Sequence, residues 1–247
     1  VLATMGRSFW IMDNLSSLHQ GAEQLEASAA RLFRPRDHIR YRYRGRSGSE
    51  HVDYPLPGLD IDYYLPEGVT EPIKMEFLDA SGKVVRTLVS GNQDSVATKV
   101  VRDMATNDVA YNLNSKLSIK SGLHRFRWDM RHHGSWDASE RKRYSGGPMV
   151  SPGTYTVRFT VDGKTMEESF ALKLDPKVAA SGVSLADVQA QESVALEIIA
   201  LLSEVKKMGE EVKEKQKVLK GNGELTADQQ KQLEQLKVLE KMLVTAK

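Results

Sequence analysis

From Leu59 onward the chain alternates apolar and polar positions with a period of two. Leu59, Ile61, Tyr63 and Leu65 alternate with Asp60, Asp62 and Tyr64, and Pro66 and Gly68 close the run. That is the pattern of a half-buried strand ended by a turn. Ile73, Met75 and Phe77 repeat it, Ser81-Gly82 turns the chain, and Val84–Leu88 reads as the hairpin partner. Leu123, Phe126, Trp128 and Met130 fall into one strand if the phase slips once near Arg125. Tyr155, Val157, Phe159 and Val161 form another, and Asp162-Gly163 is a strong hairpin signal before the returning strand. About six or seven short strands at this spacing predict an antiparallel immunoglobulin-like β-sandwich over residues 51–176. The polar stretch Asn92–Ser121 fits less well and reads as an insertion with a short helix near Thr98–Met104.

Beyond Ser184 the period changes. Ala195, Ile198, Leu202, Val205, Val212 and Leu219, with Gly209 and Gln216 between them, are spaced 3-4-3-4-3-4-3. This is the 3.5-residue period of a coiled-coil seam. Ser184 with Asp187, and Thr226 with Gln229, have the spacing of capping boxes. Gly221-Asn222-Gly223 stops the first helix. Leu233, Leu236, Leu239 and Leu243 give the second helix its apolar face. The prediction is an α-helical hairpin over residues 183–247. Asp175-Pro176 ends the last strand before it, since a residue preceding proline is held extended.

Composition supports this division. Residues 184–247 contain no proline, arginine or aromatic residue, and ten lysines balance eleven acids there. The overall charge of +2 implies no global attraction to nucleic acid or anionic lipid. No apolar run approaches the roughly 20 residues of a membrane-spanning helix. The absence of cysteine excludes disulfides, thiolate-bound zinc and thiol catalysis. The chain opens at Val1 without an initiator Met and within a strand-like segment, as a piece of a longer protein would.

Several strings carry a family likeness. Ala3, Thr4, Gly6, Arg7, Phe9, Trp10 and Asp13 in "VLATMGRSFWIMDNLSSL" resemble the closing strands of a sortilin-type, Asp-box (BNR-like) β-propeller. "ARLFRPRDHIRY" resembles the linker leaving such a propeller. "KMEFLDASGKVVRTL", "SGLHRFRWDMR" and "GGPMVSPGTYTVRFTVDGK" resemble the sandwich that follows it in secreted, glycosyl hydrolase-like bacterial proteins, and the Ig-like domain of flagellar hook-capping proteins. The resemblance implies that residues 1–50 are terminal propeller strands and an Arg-rich linker. It implies a secreted, periplasmic or cell-surface location, with the rest of the parent chain as partner. The Asp-box turn itself is absent from this sequence, so the hydrolase label has no residues here to support it.

Four groups of residues carry candidate chemistry. Seven arginines between Arg31 and Arg46 face one acid, Asp37. Arg40, Arg42 and Arg44 interleave with Tyr41 and Tyr43, an arrangement suited to an anionic partner. The competing interpretation, an alternating strand or linker packed over a propeller, accounts for the same residues. Nucleic acid is not expected, because its binders spread positive charge over a whole domain.

The second group is Trp128, Asp129, Arg131, His132, His133, Trp136 and Asp137. Neighbouring histidines on a strand point to opposite faces, so no metal or cofactor is assigned. Trp136 with Tyr144 and Arg131 could instead form a sugar-stacking platform with hydroxyl-binding charge. The third group comprises the carboxylates Asp60, Asp62, Glu167 and Glu168. They lack the facing arrangement of a glycosidase pair, so no catalytic residue is assigned. "SGGP" and "GNG" lack the lysine of a phosphate loop.

The helical hairpin is the fourth group, a docking or homo-oligomerisation element or a brace. The expected function is a non-catalytic accessory module of a secreted, propeller-containing protein, binding glycan or protein. The alternatives are a hydrolase segment that contributes active-site residues and an assembly scaffold.

Overall fold

The computed structural model describes residues 2–3, 9–10, 14–21, 29–41, 58–90, 101–103, 108–110, 117–139, 146–221 and 226–244. The chain divides into two compact units. One comprises Val1–Arg131 with Met149–Val188, and the other His132–Pro148 with Gln189–Lys247.

The first unit begins with a two-strand pair, β1 (Leu2–Ala3) and β2 (Phe9–Trp10), then α1 (Ser16–Gly21), β3 (Arg31–Leu32) and β4 (His38–Arg40). It continues through β5 (Leu59–Leu65), β6 (Lys74–Leu78), β7 (Val84–Val89), β8 (Val101–Asp103), β9 (Asp108–Ala110), β10 (Gly122–Trp128), β11 (Gly153–Val161) and β12 (Lys164–Leu174). Strands β10-β5-β3 form one sheet and β4-β12-β11-β6-β7 a second, while β8 and β9 pair with each other. Neighbours run antiparallel except β4, which lies parallel to β12. The Arg-rich segment expected as a linker therefore supplies an edge strand to each of the two sheets.

One buried cluster draws on both sheets. Leu59, Ile61, Tyr63 and Leu65 of β5 join Phe126 and Trp128 of β10, and with them lie Met75, Phe77, Tyr155, Val157, Phe159, Phe170 and Leu172 of the larger sheet. Trp128 stacks on Phe77 at 4.1 Å between ring centres, edge-on to Tyr155 and Phe170. The Tyr63 hydroxyl donates to the Ser118 carbonyl and accepts from the Ser118 N–H. Its burial pushes the phenol up to about 12. The β11–β12 turn has Asp162 at φ 46° and Gly163 at φ 73°. Both central residues lie in the left-handed region, as the tightest hairpins require.

Two expectations about this unit are corrected. Val101–Asp103, placed in a short helix over Thr98–Met104, is a strand paired with Asp108–Ala110; Thr98–Val100 and Met104 lie outside the described residues. Leu123 is 47% exposed, because β10 runs without the expected slip and its inner positions are Phe126 and Trp128. The irregularity comes later, at Met130, which turns inward at φ 56°.

The helices follow α2 (Pro176–Ala180), which Asp175 caps with its carboxylate on the Lys177 N–H. α3 (Leu185–Gly221) starts at the expected capping box. Ser184 Oγ accepts from the Asp187 N–H, and the Asp187 carboxylate accepts from Ser184. These bonds hold the Asp187 carboxyl below its ordinary value. Thr226 and Gln229 do the same for α4 (Ala227–Val244).

α4 packs on the C-terminal half of α3, where Val212, Gln216 and Leu233 are buried and Gln216 Nε2 donates to Glu240. The apolar seam is corrected at three positions. Ile198, Leu202 and Leu239 are 51%, 44% and 48% exposed. Glu240 takes the half-buried place expected for Leu239 because Gln216 holds its carboxylate. Upstream, α3 turns a polar face inward, as described next.

Candidate functional site

In the second unit, His132–Pro148 forms a segment whose two ends meet. The His132 N–H donates to the Pro148 carbonyl at 2.9 Å. The segment fastens to α3 by polar contacts. His132 Nε2 meets Glu192 Oε1. The Trp136 N–H donates to Ser203 Oγ at 3.0 Å. Lys206 Nζ donates to Ser135 Oγ at 2.9 Å and to Asp137 Oδ2 at 3.1 Å. Glu192, Ser203 and Lys206 are spaced eleven and three residues apart, which places them on one helical face. Ser135 is buried, and Lys206 Nζ bridges its hydroxyl and the Asp137 carboxylate, which fixes how the hydroxyl is oriented.

Of the expected glycan platform, Trp136 is half-buried in this segment. Arg131 belongs to the sheet unit, and Tyr144 lies outside the described residues. The Arg131 N–H donates to Asp129 Oδ1, and its carbonyl accepts from Trp128 Nε1 at 3.2 Å. Burial raises the Asp129 carboxyl above its ordinary value, against the pull of Arg86 and Arg131.

Of the expected anion patch, Arg40 donates Nε to the Val150 carbonyl at 2.7 Å, a contact between backbone and edge strand. Arg42 and Arg44 lie outside the described residues. Arg31 stacks over Phe33 at 5.0 Å.

The carboxylates of β5 form a charge ladder with β10. Arg125 makes a two-pronged contact with Asp62, at 2.7 and 2.8 Å, and Arg127 Nε donates to Asp60. Asp62 is only 5% exposed, although it holds a polar position of the alternating strand. Glu167 is held by Arg158 Nε at 2.6 Å. Among the described residues no group of three or more His, Asp or Glu side chains is arranged to hold a metal ion. No described helix is long and apolar enough to cross a membrane.

The ladder and the Ser135–Lys206–Asp137 cluster were not legible as contacts. Their partners lie more than sixty residues apart, and only the period-two placement of Asp60, Asp62, Arg125 and Arg127 hinted at facing rows.

His38 supplies a pH-dependent element. Its Nε2 is buried without a hydrogen-bond partner among the described residues, and its ring lies 5.8 Å from Tyr41. Burial lowers its pKa from 6.5, with Asp60 opposing and Arg36 and Arg127 assisting. The unfolded chain therefore takes up this proton more readily than the folded one, and stability falls as pH drops below about 6.5. Urea midpoints measured between pH 7.5 and 5 should fall for the natural chain and fall less for His38→Gln. Parallel pH slopes would remove His38 as the cause.

No protein-family model matches the chain, and no curated protein matches it.

Proposed function

We propose that this chain is a non-catalytic accessory module, an immunoglobulin-like sandwich followed by a helical hairpin, that accompanies a β-propeller in a secreted, glycosyl hydrolase-like protein. The two sheets sharing one core, and α4 lying against the C-terminal half of α3, are what support the architecture. The observation that carries the non-catalytic reading is the ladder on β5 and β10. Glycoside hydrolysis needs one carboxyl that can give up a proton and another that can attack or activate water. Asp62 is gripped by both prongs of Arg125 and Asp60 accepts from Arg127 Nε, so each carboxylate is already occupied by an arginine. The propeller likeness of residues 1–13 is what ties the module to such a parent. The half-buried Trp136 is the side chain through which it would meet a sugar face.

Two assays on the whole chain test this. Aryl-glycosides should show no hydrolysis above buffer. Turnover that falls on Asp62→Asn would overturn the non-catalytic reading. A glycan array should show binding that Trp136→Ala reduces by about tenfold, in line with the loss of one aromatic–sugar contact. Binding unchanged in that variant would remove Trp136 from the role.

A further inference from the structure

We propose that the N-terminal half of α3 is a docking site for a basic amphipathic helix of another protein. Val194, Ile198 and Leu201 are 56%, 51% and 61% exposed. Each stands eighteen residues, or five helical turns, before Val212, Gln216 and Leu219 respectively. Those three are the positions that face α4. Val212 and Gln216 are buried, Gln216 is bonded to Glu240, and Leu219 shares an apolar groove of about 510 Å³ with Leu236 and Leu239. The same face of α3 is thus covered by a helix over its second half and, among the described residues, exposed over its first.

The 4-3 spacing of Val194, Ile198, Leu201, Val205 and Met208 is what an opposing helix fills with its own knobs. An extended strand or a flat surface would not match that period. The exposed stretch from Val194 to Met208 is about 21 Å long, enough for two heptads of a partner.

Charge selects which helix. Glu197, Glu204 and Glu211 stand three residues after Val194, Leu201 and Met208, so they form one row along the edge of the stripe. All three are exposed, and none has an ion-pair partner among the described residues. The opposite edge, at Leu202 and Gly209, is uncharged. A second copy of this chain would not neutralise the row. Antiparallel pairing would set glutamate against glutamate, and parallel pairing would set it against the uncharged edge. A partner with Lys or Arg flanking its apolar heptads would neutralise it. This surface is independent of whether Trp136 meets glycan.

The test is fluorescence anisotropy of the whole chain with two designed, labelled helical peptides. Both carry Ile and Leu at the core heptad positions; one has Lys at the flanking positions and the other Glu. The Lys peptide should bind at least about tenfold more tightly at low salt, and added salt should erode the difference. Changing Glu197, Glu204 and Glu211 together to Gln should bring the two peptides within about threefold of each other. Leu201→Asp should abolish binding of both with unchanged far-ultraviolet circular dichroism, because Leu201 is mostly exposed. Equal binding of the two peptides by the natural chain, or no binding of either, would overturn the proposal. So would sedimentation of the chain as a dimer that Leu201→Asp splits, since the stripe would then belong to a second copy.

Discussion

Trp128→Ala is expected to destabilise the sheet unit by about 4 kcal/mol, within the range for emptying a large aromatic site in a packed core. Trp128 is 1% exposed and sits where the two sheets meet. The substitution removes the stack on Phe77 and the edge contacts to Tyr155 and Phe170. It also leaves the Arg131 carbonyl without the indole N–H that it accepts. The first losses scale with area and cavity, and the last is the loss of one part-buried hydrogen bond, about 1 kcal/mol. Trp128→Phe separates them, because it keeps a ring in the stack and loses only the N–H and part of the volume. Its cost should be about half as large. Since whole domains are stable by only about 5–15 kcal/mol, the alanine variant should lose near-ultraviolet circular dichroism well below the natural denaturant midpoint. A shift corresponding to less than about 1 kcal/mol would mean that the two sheets do not share this residue as their centre.

The strands that build this core were legible because two local signals agreed. Period-two alternation placed Ile61, Tyr63, Met75, Phe77, Val157 and Phe159 inward, and turn chemistry at Ser81-Gly82 and Asp162-Gly163 fixed where the chain reversed. The errors came where local pattern was outvoted by distant contacts. Leu123 looks like a core residue by type, but the register of β10 against β5 sets Phe126 and Trp128 inward and leaves Leu123 outside. On α3 the best apolar heptad passes through Ile198 and Leu202, yet the contacts made in its first half go through Glu192, Ser203 and Lys206. Polar residues on a helix ordinarily mean a solvated face, so nothing local marks them as a docking face. The same blindness hid the Arg125–Asp62 fork. Each residue alone reads as a solvent-facing charge, and only strand pairing brings the two within hydrogen-bond distance.

The segment that occupies that polar face makes the second large prediction. Gly147→Ala should cost about 2–4 kcal/mol, in the upper range for forcing extra atoms into a filled site. A Cβ at position 147 would lie 2.1 Å from the His132 carbonyl oxygen, 2.6 Å from the His132 carbonyl carbon and 2.7 Å from that of His133. All three are backbone atoms, so no side chain can rotate away to make room. The close approach also accompanies the bond from the His132 N–H to the Pro148 carbonyl, and separating the two runs would stretch that bond first. The damage should then spread to Ser135, Trp136 and Asp137, whose bonds to Ser203 and Lys206 depend on where this segment sits.

Gly146 is the internal control, because the two glycines are adjacent but constrained for different reasons. Gly146 has φ 72° and open space around its Cα. Alanine there meets only the left-handed backbone penalty, about 1–2 kcal/mol. Thermal melts of the two alanine variants should therefore rank Gly147→Ala below Gly146→Ala. The difference in tryptophan fluorescence between each variant and the same variant carrying Trp136→Phe isolates Trp136 from Trp10 and Trp128, and it should change for Gly147→Ala and not for Gly146→Ala. The reverse order would show that backbone conformation at Gly146, and not steric closure at Gly147, holds the segment in place.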